Sequence, residues 1–197
     1  VFNVGEKVLG TTSPLFAIVL GLLSRQADMI PLIAHAFSGI GLIATAMLLS
    51  RLIEGNERSN VTAGIVGSLV VLTSPLLAQT QGFELNLYVA LVLGGILTAR
   101  GGKVGWSGLL LAAATLFRGD GFVPAGLIGL HLLHSGRGDW RKFALGFGAP
   151  IGLFLAVAWH YYGYPLPNTL KAKRAMGNSN LWRGYVKGSI RLAGLYV

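Results

Sequence analysis

The sequence contains no cysteine among its 197 residues, which excludes both disulfide bonds and thiolate metal ligands. It is also poor in charge, because Asp, Glu, Lys and Arg make up only 12% of the chain, about half the share found in an average soluble domain. Hydrophobic residues reach 53%. Apolar runs recur along nearly the whole length, so the composition argues against a water-soluble domain and favours a polytopic membrane protein.

Acidic residues are scarcer than basic ones. The chain has 7 Asp and Glu against 16 Lys and Arg, which gives a formal net charge of +9. In a soluble chain such an excess would favour nucleic-acid binding. Here residues 168–197 contain no acid and hold most of the excess, so the charge belongs to one segment and no nucleic-acid partner is expected. The cations of that segment are Lys171, Lys173, Arg174, Arg183, Lys187 and Arg191.

Motifs that mark nucleotide or metal sites are missing as well. The sequence has no Walker pattern, no GxGxxG after a strand and no HExxH. The four histidines are scattered and form no ligand set, so no metal site is expected from them. Glycine, by contrast, is abundant at 29 residues. Pairs such as Gly148 and Gly152 predict close helix–helix packing, because glycine lets two backbones approach within lipid.

The apolar runs predict an all-α, polytopic membrane helix bundle with about six transmembrane helices. A shorter run at 12–24 predicts an interfacial or re-entrant helix, with a tilted seventh span as the alternative. We expect a single transmembrane domain with the end of an outer loop and an interfacial helix at 1–28, and a transmembrane core at 29–162. Residues 163–197 are expected to form a basic outer loop and the start of the next segment. The expected spans are 29–50, 61–78 (broken near its end by Ser74-Pro75), 85–99, 104–117, 122–133 and 143–162.

The charged loops assign a side to each end of the spans. Loops 100–103 and 135–142 are basic, and the positive-inside rule places both in the cytoplasm. The turns at 79–86 and 118–121 and everything after 162 then face outward. The basic segment breaks the positive-inside trend there, so we expect an anionic group to compensate it.

That segment follows directly on the last apolar run. Residues 161–174 read YYGYPLPNTLKAKR. Tyrosines are typical of a membrane–water interface, and two prolines prevent the helix from continuing. Asn, Thr and three cations then follow, and these groups suit a phosphate or a sugar hydroxyl. The order indicates chemistry on a charged lipid head group.

Four motifs occur in an order that resembles the GT-C membrane glycosyltransferases. Residues 1–15 resemble the end of their first outer loop, and 81–85 (QGFEL) resemble their SGMET or SGLET turn. Residues 117–121 (FRGDG) resemble their TRPEG hairpin, and 162–169 (YGYPLPNT) resemble their YGxPLPNT segment. The similarity covers about residues 1–175 and is greatest to bacterial terminal arabinosyltransferase-like and mannosyltransferase-like proteins.

The resemblance implies a hexosyl- or pentosyltransferase that moves a sugar from a polyprenyl-phosphate donor to an extracytoplasmic glycan, lipid or protein acceptor. It also implies a multi-pass protein of the bacterial plasma membrane whose active face is extracytoplasmic. The expected partners are the bilayer, the polyprenyl-phosphate sugar and the glycan acceptor. No cofactor is certain, and a divalent metal is left open. The alternatives are a transporter or flippase of polyprenyl-linked sugars and a non-catalytic membrane scaffold.

The resemblance leaves the catalytic base outside this chain. The family's acidic residues lie in the first outer loop, and they would fall upstream of Val1. Within the chain, Glu6 is the carboxylate near that end and the secondary candidate for the general base. Two positions depart from the family pattern, because Gly119 stands where Pro is common and Asn86 stands where a small residue is usual.

The candidate site residues fall into two groups. Cations are needed to hold a phosphate that leaves with negative charge, and amide, carboxylate or aromatic groups are needed to hold sugars in register. A lipid anchor is the alternative for the basic segment, a helix cap for Asn168, and mutual pairing for Arg118 and Asp120. The phosphate candidates are Lys171, Lys173, Arg174 and Arg118, and the sugar or acceptor candidates are Glu84, Asp120, Asn168 and Tyr162.

Overall fold

A computed structural model describes residues 9–24, 26–54, 61–135 and 139–164. All regular secondary structure in these ranges is helical, which confirms the all-α prediction. Single 3-10 turns stand at Ala27–Met29 and Gly119–Gly121. The helices are α1 (Pro14–Leu23), α2 (Ile30–Glu54), α3 (Val61–Leu72), α4 (Pro75–Gln79), α5 (Leu85–Arg100), α6 (Val104–Phe117), α7 (Phe122–His134) and α8 (Trp140–Tyr162).

Proline and glycine set several of these helix ends. Pro14 and Pro75 each occupy the first turn of a helix, where the missing backbone N–H has no role. Pro75 also separates α3 from α4, as the sequence predicted. Gly102 has a φ of 74°, which favours glycine, and it closes the tight turn between α5 and α6. Lys103 N–H donates to Thr98 O across that turn at 2.9 Å.

Two helices extend beyond their expected ends. The sequence predicted that α2 would end before Arg51, but the helix continues to Glu54. Ser50 donates its hydroxyl hydrogen to the Glu54 carboxylate four residues later, so this carboxylate has a partner within its own helix. At the other end of the chain, α8 begins at Trp140 rather than at Phe143. Asp139 and Lys142 form an ion pair at 3.2 Å in that first turn.

Helix α2 packs against both α3 and α5, and α5 packs against α6. Ser68 of α3 donates to Ala46 O of α2, and Gly64 lies against Glu54, so α2 and α3 run in opposite directions. Asn86 donates to Ser38, so the start of α5 lies beside the first half of α2. Because the short α5–α6 turn reverses the chain, the end of α6 returns to the level at which α5 begins.

Helix α6 carries the most deeply buried side chains of this bundle, with Leu111 and Ala112 fully inaccessible. Its glycine face lies against the start of α8. A Cβ at Gly108 would collide with Phe143 O, and one at Gly146 would collide with Gly105 O. At Gly148 and Gly152, no described atom lies within 4 Å of a Cβ, so the predicted close packing is not seen there among the described residues. The described close packing of α8 is made at Gly146, nearer the start of the helix.

Among the described residues, two stretches, Ala27–Glu54 and Trp140–Tyr162, are long and apolar enough to cross a membrane. Only 28% and 11% of their apolar windows are buried, whereas a core helix of a soluble protein is mostly buried. Large apolar side chains are also exposed along α3 and α7, such as Val70 and Leu127. Exposed apolar surface on this scale is typical of a protein that contacts lipid.

The chain divides into two compact units. One comprises Ser13–Phe154 and holds α1 to α7 with the first part of α8. The other comprises Val1–Thr12 and Leu155–Val197. Within the second unit, the rings of Tyr161 and Tyr162 pack edge to face with centroids 4.8 Å apart.

Candidate functional site

Arg118 stands at the point where α6 ends. Its backbone is extended, with φ −151° and ψ 130°, so the helix stops and the chain turns back. Gly121 N–H donates to Arg118 O at 2.9 Å and closes the turn. Gly121 also lies directly on α6, because a Cβ there would come within 2.6 Å of Thr115 N. The tip of the α6–α7 hairpin is therefore folded tightly onto the helix below it.

Glu84 precedes α5 at the end of a second turn. Gly82 in this turn has a φ of 87°, and the imidazole of His35 lies against it, 3.1 Å from the position of a Cβ. Glu84 is the N-terminal cap residue of α5, but its side chain makes no capping hydrogen bond. The carboxylate is consequently available to a partner outside its own helix.

Arg118 joins these two turns. Its Nη1 donates to Glu84 Oε1 at 3.3 Å, and its Nε donates to Asp120 Oδ1 at 3.3 Å. The side chains differ in exposure, at 15% for Glu84, 35% for Arg118 and 54% for Asp120. We refer to these three residues as the charged cluster. Two carboxylates around one guanidinium give it a formal charge of −1.

Tyr88 borders the charged cluster from α5. It lies one helical turn after Glu84, and the Arg118 guanidinium carbon is 5.8 Å from the centre of its ring. This distance is within the range of a cation–π interaction. Arg118 is thus held by two carboxylates and by an aromatic face, which fixes the direction of its guanidinium.

A buried polar network lies beneath the Glu84 turn. The Asn86 side chain is nearly inaccessible, and its Nδ2 donates to Ser38 Oγ at 2.9 Å. The hydroxyl of Thr45, which follows Ser38 on α2, donates to Asn86 O at 3.2 Å. Asn86 Oδ1 has no hydrogen-bond partner among the described residues. These bonds attach the start of α5 to α2 and so fix the position of Glu84 along the bundle.

The predicted site residues meet three different outcomes. Glu84, Arg118 and Asp120 come together in one cluster, and Arg118 pairs with Asp120 as the alternative interpretation expected. Tyr162 belongs to the second unit, where it contacts Tyr161. The other five predicted residues lie outside the described residues, and they are Glu6, Asn168, Lys171, Lys173 and Arg174.

The sequence did not single out Tyr88, Ser38 or the contact of His35 with Gly82. One signal was available for Tyr88, because residues four positions apart on a helix share a face and Glu84 is four positions earlier. Ser38 and Thr45 carry no such signal. Their role depends on which turn of α2 meets Asn86, and that register is a tertiary property.

The chain matches no protein-family model, no curated protein and no solved structure. Its chemistry must therefore be inferred from the charged cluster itself. No group of three or more His, Asp or Glu side chains suited to a metal occurs among the residues that the structure describes.

The charged cluster suits hydroxyl groups better than phosphate. Carboxylate oxygens accept hydrogen bonds from sugar hydroxyls, and the guanidinium has further N–H groups to donate. A phosphate would meet two carboxylates as well as one cation, so like charges would oppose its binding. Tyr88 adds an aromatic face next to these groups. The arrangement is able to orient a polyhydroxylated ligand.

Proposed function

We propose that this chain belongs to a membrane glycosyltransferase of the GT-C type, which transfers a sugar from a polyprenyl-phosphate donor to an extracytoplasmic acceptor. The observation that carries the proposal is the charged cluster. Its members come from two turns, 79–86 and 118–121, that were both predicted to face outward from the signs of the intervening loops. The two turns lie together at one end of the bundle, and three of the few charged residues of the chain meet there.

The membrane part of the proposal is a bundle of about six spans in a bacterial plasma membrane. Its support is the exposed apolar surface of α2, α3, α7 and α8. Helix α1, with ten residues, has a length of about 15 Å and is too short to cross alone. Phe16 of α1 packs on Phe117 at 6.1 Å between ring centroids, next to the charged cluster. We assign α1 as an interfacial or re-entrant helix at the outer end.

The roles follow from the charges. Lys171, Lys173 and Arg174 hold the phosphate of the donor, because they lie in a segment without any acid. Glu84 and Asp120 accept hydrogen bonds from acceptor hydroxyls, while Asn168 and Tyr162 contact the sugars. Arg118 was also predicted to hold the phosphate. Its two carboxylate neighbours favour a role in positioning them.

The proposed reaction is a direct displacement at the anomeric carbon. An acceptor hydroxyl oxygen forms the new C–O bond and loses its proton to a base, and the polyprenyl phosphate leaves with the electron pair of the broken bond. By the family resemblance, the base is an acid of the first outer loop. No metal enters the reaction as proposed, and a chelator arm in the transfer assay tests the divalent metal that the sequence left open.

The experiment is a transfer assay on membranes containing the protein expressed from its full reading frame, with polyprenyl-phosphate pentose and hexose donors. The double variant K171Q/K173Q is expected to lose donor binding. K187Q removes a cation of the same basic segment outside the resembling residues and serves as its control. Unchanged transfer by K171Q/K173Q would contradict the phosphate assignment.

A second pair of variants tests the charged cluster. E84Q keeps the shape of the side chain but removes its charge, and it is expected to lower transfer about tenfold or more, as for the loss of a hydrogen bond to a charged group. D28N removes an exposed acid outside the cluster, in the turn before α2, and should retain activity. Movement of lipid-linked sugar across the bilayer without any transfer would support a transporter instead.

A further inference from the structure

The opposite end of the bundle carries a second concentration of charge. The turn between α5 and α6 lies against the start of α8 there, because a Cβ at Gly105 would be 3.7 Å from Lys142 O. The two elements that meet here carry four cationic side chains, and all four are exposed. They are Arg100, Lys103, Arg141 and Lys142. The contact of Gly105 with Lys142 thus brings together two basic elements that are far apart in the chain.

Among the described residues of these two turns, Asp139 is the only acid, and it pairs with Lys142 at 3.2 Å. The five side chains together keep a formal charge of +3. The Lys142 side chain remains 74% exposed despite its partner. A mobile anion can therefore reach the cations from solvent.

Two tryptophans accompany these basic residues. Trp106 is 63% exposed on α6, and Trp140 is 41% exposed at the start of α8. The Arg141 guanidinium lies 5.7 Å from the centre of the Trp140 ring. Tryptophan prefers the level of lipid head groups, where its ring is apolar and its N–H is hydrated. Both indole rings belong to the first turn of their helix, next to these cations in the chain.

The apolar surface begins directly beyond these rings. Leu109 follows Trp106 on α6, and Leu145 follows Trp140 on α8, and both are exposed. A head group held by the cations would place its acyl chains along these side chains. This continuity distinguishes a lipid from a nucleic acid or a free phosphate ion, since neither of these has an apolar part to bury.

We propose that Arg100, Lys103, Arg141 and Lys142, with Trp106 and Trp140, form a binding site for anionic phospholipid head groups, which we call the basic rim. It rests on the membrane part of the proposed function and not on sugar transfer. Each phosphate is held by cations from both turns, so the lipid bridges the α5–α6 turn and the start of α8. Neutral lipids carry no net negative charge, so the basic rim binds them less strongly than anionic lipids.

The test measures lipid retention by the full-length protein after purification in detergent. Native mass spectrometry compares bound phosphatidylglycerol with bound phosphatidylcholine. The variant R100Q/K103Q/R141Q/K142Q is expected to lose at least about tenfold of its preference for phosphatidylglycerol, since each cation near an anionic surface contributes measurably. The control is R51Q, which removes an exposed cation from the last turn of α2.

A second variant keeps the outcome clear if the fourfold change prevents folding. K103Q/R141Q removes one cation from each turn and should lose a smaller part of the preference. Equal retention of phosphatidylglycerol by the wild type and a folded variant would overturn the proposal. So would displacement of the lipid by inorganic phosphate at matched ionic strength. Because the readout is lipid binding, a protein without transferase activity would still confirm or refute the basic rim.

Discussion

Arg118 donates a hydrogen bond from Nη1 to Glu84 Oε1 at 3.3 Å, although the two residues are 34 positions apart in the chain. The bond connects the turn before α5 with the turn after α6. Glu84 is the less exposed partner, at 15% against 35% for the guanidinium. Removal of one charge therefore leaves the other in a partly dry environment, which costs more than the loss of a surface pair.

This difference in exposure predicts unequal effects for the two carboxylates. E84Q is expected to destabilise the protein by about 1–2 kcal/mol, because it leaves Arg118 with the exposed Asp120 as its remaining charged partner. D120N should cost less than about 1 kcal/mol, since its carboxylate is 54% exposed. Thermal unfolding midpoints in detergent measure both changes. Equal shifts for the two variants would contradict the assigned order.

Tyr88 offers a test of the aromatic contact with Arg118. Y88F keeps the ring and is expected to retain the stability of the wild type to within about 0.5 kcal/mol. Y88L keeps apolar bulk but loses the aromatic face, and it should cost about 0.5–1 kcal/mol more than Y88F. The comparison is made by thermal unfolding in the wild type and in R118Q. A difference between the two variants that persists in R118Q would show that the ring acts through packing alone.

Two glycines of α2 provide a matched pair. A Cβ at Gly41 would lie 2.6 Å from Leu87 N, so G41A must separate α2 from α5 and is expected to cost about 1–3 kcal/mol. At Gly39, no described atom lies within 4 Å of a Cβ, and G39A should be neutral or stabilising by up to about 1 kcal/mol. Unfolding in denaturant measures both. Similar stabilities would place the α2–α5 contact elsewhere.

The helix limits were largely readable from the sequence because local residues set them. Helix α6 runs over Val104–Phe117 as expected, since a Gly-Gly-Lys turn precedes it and the extended Arg118 follows it. The break at Pro75 was equally visible, because proline acts on its own helix. The extension of α2 to Glu54 was missed. Charged residues stop an apolar run, but they do not stop a helix.

The charged cluster was predictable only in part. Counting spans placed Glu84 and Arg118 on the same face, but the contact between them depends on how α5 and α6 pair. Asn86 stood out as a departure from a family pattern, yet its bond to Ser38 requires the register that Gly41 sets. Among the described residues, the close packing of α8 is made by Gly146 and not by Gly148 or Gly152, for a related reason. Spacing shows which glycines share a helix face, and the neighbouring helix determines which of them is used.

The lack of cysteine allows a direct test of sidedness. Each single-cysteine variant introduces one reactive thiol into a stretch of 197 residues that has none of its own. F83C and G119C are expected to react with a membrane-impermeant maleimide in intact cells, because both residues are exposed near the charged cluster. K103C should react only after the membrane is permeabilised. Labelling of F83C and K103C from the same side would contradict the alternation of the proposed spans.

In the proposed topology, the pairing of Arg118 with Asp120 bears on how the α6–α7 hairpin crosses the membrane. The α6–α7 hairpin carries no other formally charged Asp, Glu, Lys or Arg between Val104 and His134. Its tip therefore brings its own counter-ion and can be translocated as a neutral unit before it meets Glu84. In the proposed topology, Asp120 thus neutralises the guanidinium within the hairpin itself, and Glu84 adds a second carboxylate from outside the hairpin.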